Sequence, residues 1–445
     1  MLSVDIFIPD YVNVIIKSLE KSGFEAYIVG GCVRDCLLGR IPKDYDVCTS
    51  AEPEQVKAVF SNMRIIETGI KHGTVTVMSD NKPVEVTTFR IDGDYEDHRK
   101  PENVTYTKSL EEDLSRRDFT INAMAYSDKC GIIDLYNGQK HLFTRKIRCV
   151  GEPEKRFSED ALRILRALRF SSELEFKLDK ETESAVHRCK KLLNDISEER
   201  IQSELNGILM GENVSEVLME YYDVIRVFIP EIAPCVHFNQ QSRYHLYDVW
   251  EHTAMSVSQA CKDLTVRLAM LLHDIAKPQC FKLDDNGQGH FYEHEQKGAA
   301  MAEQILRRLK YPNETISRVC TLIRYHYVTP VDDDRIIKRL LNIMGADAFH
   351  QLAEVQKADA RSKQPFCMER IPLIDKVNIK AYEIESRGDC YSLKDLAING
   401  NDLLELGVSG RQVGEVLNEV LQDVISEIVP NEKNALIERV KKHII

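Results

Sequence analysis

YIVGGCVRDCLLGRIPKDYDVCTS, residues 27–50, decides how the N-terminal part of this 445-residue chain folds. The run AYIV reads as a short strand that ends on Gly30 and Gly31. Two glycines there can bring bare main-chain N–H groups close to a phosphate, at the start of a helix carrying Arg34. Asp44, Tyr45 and Asp46 then follow in an extended segment, where residues i and i+2 point to one face, so the two carboxylates converge. Side by side they repel unless a cation sits between them. Hard oxygen ligands facing a phosphate cradle suit Mg2+. The alternating run PVEVTTF, residues 83–89, adds Glu85 as a third acid. Three carboxylates can hold two metal ions, one activating a hydroxyl nucleophile and one stabilising a leaving pyrophosphate. A lone Asp-x-Asp is usually a solvated hairpin; the glycine turn, Arg34 and Glu85 set this one apart.

Working outward, TVTVMS and PVEVTTF are further β-rich runs, broken by helical stretches such as AEPEQVKAVF. After Glu152 the period changes. ALRILRALRF, AVHRCKKLL, DVWEHTAMSVSQA, VRLAMLLHDIA and MAEQILRRL all repeat at helical spacing. The expected class is therefore α+β, a mixed-sheet head followed by an all-α remainder. Proline clusters at Pro230 to Pro234 and at Pro365 to Pro372 suggest softer boundaries. The predicted division is a head at 1–145, a helical neck at 146–235, a helical body at 236–365 and a helical tail at 366–445.

The length exceeds what one core usually serves, and 43% apolar with 29% charged residues fits a globular chain. No apolar run approaches the length of a membrane span, and the start MLSVDIFIPDYVNVI carries no signal-peptide pattern. A cytoplasmic location is expected, with no membrane partner. The twelve cysteines form no CxxC and read as free thiols of a reducing compartment. A net charge of −12 argues against gripping long nucleic acid by charge alone. Charge is not evenly spread, however: Arg156, Arg163, Arg166 and Arg169 form a local basic stripe.

These features resemble the nucleotidyltransferases of the DNA polymerase β superfamily, and more narrowly the bacterial class II CCA-adding enzymes, whose close relatives are bacterial poly(A) polymerases. The resemblance spans nearly the whole chain and is carried further by RIDGDYEDHRKP (90–101), LSRRDFTINAMAY (114–126), GEPEKRFSEDALRILRALRF (151–170) and INGNDLLELGVSGRQVGEVL (398–417). It implies a polymerase β-like head, Asp44 and Asp46 as Mg2+ ligands, Glu85 as a third carboxylate, and nucleotide contacts from Gly30, Gly31, Arg34 and Arg117. It further implies that the segment around Asp160 and Arg163 serves as an amino-acid template. A carboxylate accepts from an exocyclic amine while an arginine fork donates to ring acceptors, a pairing that fits C and A and mismatches U and G. Read as one helix, residues three apart share a face, and Arg166 and Arg169 continue it toward a triphosphate. The polar stretch from Gly93 to Pro101 reads as a mobile loop; in the family it is shortened in enzymes that add only C, so its presence implies complete CCA addition.

A second constellation lies in the body. His273 and Asp274 close the apolar run VRLAMLLHDIAKP, joined by His252, His294, His326 and Asp359. Imidazoles with carboxylates form a ligand set for divalent transition metals. Their order resembles the HD superfamily of metal-dependent phosphohydrolases, which implies an HD-type body acting on 2′,3′-cyclic or terminal phosphates. The competing reading is a helical scaffold in which these groups only pack.

The expected activity is addition of CTP, CTP and then ATP to the tRNA 3′ end, the acceptor arm being the partner, with release of pyrophosphate. Rival readings are A-only addition or poly(A) polymerisation by the same fold, and an HD phosphohydrolase whose head only binds RNA.

Overall fold

The strand read from AYIV is β1, Ala26–Val29, and the glycine turn after it opens the short helix α1, Gly31–Leu37. Then come β2 (Asp46–Thr49), β3 (Ile65–Ile66), β4 (Thr74–Ser79), β5 (Lys82–Thr88), β6 (Ala125–Ser127) and β7 (Gly131–Ile133). They form one seven-stranded sheet in the order β7-β6-β1-β2-β5-β4-β3. It is mixed: β1 runs antiparallel to β2, and β2 runs parallel to β5. Alternation explains the register, because Val84 and Val86 are buried while Glu85 between them is exposed.

Beyond the sheet the first unit is helical. Its elements include α2 (Pro153–Glu159), α3 (Leu162–Leu174) and α4 (Glu198–Met210). Helix α3 buries Leu162, Ile164, Leu165, Ala167, Leu168 and Phe170 together with Arg163, and leaves Arg166 and Arg169 half-buried at the rim.

The computed structural model describes residues 6–92, 95–96, 100–101 and 104–443, and it divides into two units, Met1–Pro230 and Glu231–Ile445. The polar loop expected over 93–101 falls largely outside the described residues.

The second unit is mainly helical, with a short two-stranded sheet. The site-bearing helices are α5 (Val249–Gln259), α6 (Leu264–Leu272), α7 (His294–Arg308), α8 (Asn313–Tyr325) and α9 (Ala346–Arg361). Every residue of α6 from Val266 to Leu272 is buried, and the one charged member, Arg267, donates to the carbonyls of Ala260 and Cys261. The C-terminal stretch has its own core of Ile398, Leu403, Val408, Val416, Val420, Leu436 and Val440. Among the described residues, no helix is long and apolar enough to cross a membrane.

Candidate active site

The aspartates are set by their neighbours. Tyr45 turns inward, 8% exposed, with its ring edge-on to Tyr11 at 6.4 Å. Asp44 and Asp46 therefore turn the other way. Across the parallel pairing Asp46 stands in register with Glu85, so the third acid faces the second. Burial first, then Glu85 and Asp44, pushes the Asp46 carboxyl up to about 6. A group held this high prefers a proton or a cation at its side.

Gly30 adopts φ +83° and ψ −127°, a conformation closed to other residues. A Cβ there would also lie 3.0 Å from Arg117 Nη1, so the glycine lets that guanidinium lie against the turn. Arg117 is held from behind by Asp113 at 3.3 Å. Burial alone would raise Asp113, but Arg117 and Arg116 hold its carboxyl below the usual range.

Beside the turn, Arg34 donates to Asn122 Oδ1 and to Asp35 Oδ1, both at 2.8 Å. Asp118 is 8% exposed and accepts two hydrogen bonds from Arg166, at 2.9 and 2.6 Å, and others from Phe119 N and Asn122. Despite burial, Arg166 beside it brings Asp118 down to about 2. Its role here is to hold Arg166. Arg169 pairs with Glu204 of α4 at 2.9 Å.

A cavity of about 780 Å³ collects Gly30, Gly31, Arg34, Asp44, Asp46, Arg117, Asp160, Arg163, Arg166 and Arg169. Glu85 is the one head residue singled out from sequence that does not line it, although it faces Asp46 across the strands.

One expectation is corrected. Asp160 and Arg163 do not share a helix: Asp160 has extended backbone, φ −137° and ψ 103°, and ends α2 before α3 begins. Its carboxylate accepts from Leu162 N at 3.2 Å, the competition for main-chain donors that makes Asp a helix breaker. The pair still meets at the cavity, each through another partner. Arg200 of α4 donates to both oxygens of Asp160, at 3.2 and 3.0 Å. Arg163 donates to Glu159 at 2.9 Å and to the Arg156 and Arg116 carbonyls. Arg200 lies forty residues away and no sequence signal pointed to it.

The second unit brings all six predicted histidines and aspartates into one buried cluster. His252 Nε2 lies 3.2 Å from Asp359 and 3.4 Å from Asp274, His273 Nε2 3.1 Å from Asp274, and His294 Nε2 3.6 Å from Asp274. His326 Nε2 approaches His294 Nε2 at 3.3 Å. His273, His294 and His326 turn Nδ1 to the carbonyls of Met270, Phe291 and Ile323, at 2.7, 2.7 and 2.6 Å. That directs each Nε2 inward, as in metal-ligating histidines. Burial, with His273 and His294 nearby, lowers His326 to about 3, and burial lowers His252 and His294 as well. Burial alone would raise Asp274 and Asp359, but His273 and Lys277 beside one and Lys363 and His252 beside the other hold both well below the carboxylate range. Neutral imidazoles and ionised carboxylates are the protonation states metals require.

Three residues beside this cluster escaped the sequence reading. Lys277 and Lys363 each stand 2.6 Å from an aspartate, three and four positions after it in the chain, and that spacing was visible. His245 joins His252 and Asp274 in a metal-capable group and had no such signal.

Comparison with known proteins decides the family. Residues 26–148 match the Poly A polymerase head domain, 175–236 an RNA and SrmB-binding site of polymerase A, and 294–440 a tRNA nucleotidyltransferase domain 2. The chain is 36% identical to the CCA-adding enzyme of Ligilactobacillus salivarius over 96% of its own length and 95% of that protein. With the CCA-adding enzyme of Enterococcus faecalis identity is 33%, over 96% and 94%. The chain belongs to the CCA-adding enzymes. In structure it is similar to the Bacillus stearothermophilus CCA-adding enzyme in complex with CTP, with a TM-score of 0.76, 30% identity and 98% of each chain covered. A Thermotoga maritima CCA-adding enzyme complexed with tRNA shares the fold, at TM-score 0.59 and 19% identity. Nucleotidyl transfer in this class of enzyme uses a divalent metal ion, and the donors here are hard carboxylate oxygens.

Proposed function

We propose that the head cavity joins CTP twice and then ATP to the 3′ end of tRNA, without a nucleic-acid template and with release of pyrophosphate. The single observation that carries this reading is that one cavity gathers the aspartate pair, the glycine turn, Asp160, Arg163 and the arginine rim. Asp44, Asp46 and Glu85 would hold Mg2+, which when bound lowers the pKa of the terminal hydroxyl and neutralises charge on the departing pyrophosphate. Arg34, Arg117, Arg166 and Arg169 orient the triphosphate, each already held by an acid or amide behind it, so little entropy is lost on binding. Asp160 accepts from the exocyclic amine of C or A while Arg163 donates to a ring acceptor. The ion pairs behind them keep both groups in place when no base is present.

Base choice thus rests with the neck, 146–235, and we assign tRNA binding to the tail, 366–445. We place the activity in the cytoplasm, where twelve free thiols stay reduced. The relatives named CCA-adding enzymes favour full CCA addition over A-only or poly(A) synthesis.

The test is a single-turnover assay with tRNA transcripts ending at the discriminator base, at C and at CC, offered CTP, ATP or both. Growth to CCA and then arrest is expected. Unlimited A on any RNA would move the chain to the polyadenylating class.

The histidine cluster supports a second reading. We infer an HD-type body, 236–365, that binds one or two divalent transition metals through His252, His273, Asp274, His294, His326 and Asp359, and hydrolyses cyclic or terminal phosphates. The cluster opens on a cavity of about 790 Å³ lined by Lys277, Lys363 and several aromatic side chains, suited to a nucleotide phosphate. Hydrolysis of a 2′,3′-cyclic nucleotide should vanish in Asp274→Ala; hydrolysis that survives would leave the cluster as a scaffold.

A further inference from the structure

Three guanidiniums of the nucleotide cavity share one aromatic ring. Arg34 Cζ lies 5.1 Å from the centroid of Phe170, Arg166 Cζ 5.4 Å and Arg169 Cζ 4.8 Å. All are within the range at which a cation is drawn to the negative face of a ring. Phe170 itself is 4% exposed, yet it borders the cavity between those side chains. Phe119, fully buried, meets it edge to face at 5.8 Å and fixes the plane of the ring.

The arginines come from two places in the chain, Arg34 from α1 and the other two from α3. Their ion-pair partners also differ: Asp35 for Arg34, Asp118 for Arg166, and Glu204 for Arg169. What they have in common is the ring. Helix α4 completes the arrangement at Gly207, where a Cβ would stand 2.3 Å from Arg169 Cδ. The absent side chain lets the stem of Arg169 lie along α4 while its head reaches Phe170. Three like charges gathered around one point repel; each has an acid behind it, and the shared quadrupole adds an attraction that draws all three toward the same point of the cavity.

We infer that Phe170 is a positioning residue for nucleotide binding: its ring gathers Arg34, Arg166 and Arg169 into one cradle for the triphosphate. The inference rests on the head cavity being the nucleotide site. Because every nucleotide has the same triphosphate, the ring acts on CTP and ATP alike and leaves base choice to Asp160 and Arg163.

The test replaces Phe170 by phenylalanines carrying one, two and three ring fluorines, which keep the shape of the side chain and weaken its quadrupole stepwise. The KM for CTP and for ATP should rise together with each fluorine, reaching about three- to tenfold at the third, while kcat stays within about twofold. Phe170→Leu should reproduce the largest effect and Phe170→Tyr should restore near-native KM. A KM that stays flat along the fluorine series would overturn the inference, since a merely structural ring tolerates fluorine. Arg34→Ala and Arg166→Ala separate the two levels. If both leave CTP affinity unchanged, the cavity is not the nucleotide site and the inference falls with that reading; if both weaken it and the fluorine series is flat, only the role of Phe170 falls.

Discussion

Asp46 and Glu85 stand opposite one another, in register, on two parallel strands of the head sheet. Parallel pairing between central strands normally joins apolar residues buried on both faces. Two acids at one level of such a pair weaken the sheet locally, and Glu85 adds to burial in raising the Asp46 carboxyl.

The first prediction concerns pH. A carboxyl whose folded pKa lies above its unfolded value of about 3.9 stabilises the fold fully below that value, and the contribution is lost as pH rises through the folded pKa. For Asp46 that pKa is about 6. With metals chelated, the wild-type chain should lose stability from about pH 4 to pH 6 relative to Asp46→Asn, and added Mg2+ should reverse the loss. Urea unfolding across that range measures it. The same substitution should cut nucleotide addition by about a thousandfold, several kcal/mol of transition-state stabilisation.

A second prediction concerns Arg200. Its two hydrogen bonds are what Asp160 has in place of a helical neighbour. Charge-assisted bonds of this kind contribute roughly 1.5–3 kcal/mol. Arg200→Met should therefore lower kcat/KM for CTP and ATP by about tenfold and raise the share of UTP and GTP misincorporated. Competition between CTP and UTP on a transcript ending at the discriminator base reads both effects. Unchanged discrimination would show that Asp160 does not depend on Arg200.

Acid stability gives a third. Asp118, drawn down to about 2 by Arg166, contributes stability that is present above its unfolded pKa and lost as pH falls through the folded one. Between about pH 4 and pH 2 the wild-type chain should lose this advantage over Asp118→Asn, and the two should converge at the acid end. At neutral pH the substitution should cost about 2 kcal/mol, below the figure for a fully buried pair because the Arg166 side chain is 32% exposed.

Metal content supplies the fourth. Protein purified without chelator should carry one or two divalent transition-metal ions per chain by elemental analysis, and Asp274→Ala should carry fewer. Stripping the ions should lower the melting temperature, and re-adding them should restore it, since a ligand bound only by the folded state stabilises it. Equal metal content in wild type and variant would remove these residues as ligands.

What could be read from the sequence follows from how local each signal is. The strand, the glycine turn and Asp44–Tyr45–Asp46 obey a period of two over a few residues, and the structure keeps that alternation. The histidines were legible because each falls at the edge or on the face of a strongly periodic helix. Asp160 was misread for the opposite reason: an aspartate side chain competes for a nearby N–H, and that local choice ended the helix that spacing alone predicted. Arg200, His245 and the shared ring of Phe170 depend on contacts made only after the chain has folded back on itself, and periodicity carries no record of those.

The main-chain anchoring of His273, His294 and His326 has a consequence for how the cluster can change. Each imidazole has its tautomer dictated by a carbonyl three residues earlier in its own chain segment. Side-chain supports can drift one substitution at a time, but a carbonyl is supplied by whatever amino acid occupies the position. Replacing Met270, Phe291 or Ile323 leaves the acceptor in place. The cluster is thus buffered against mutation of its surroundings, and a lineage that discards it must do so by replacing a ligand outright or by breaking the backbone turn beneath it.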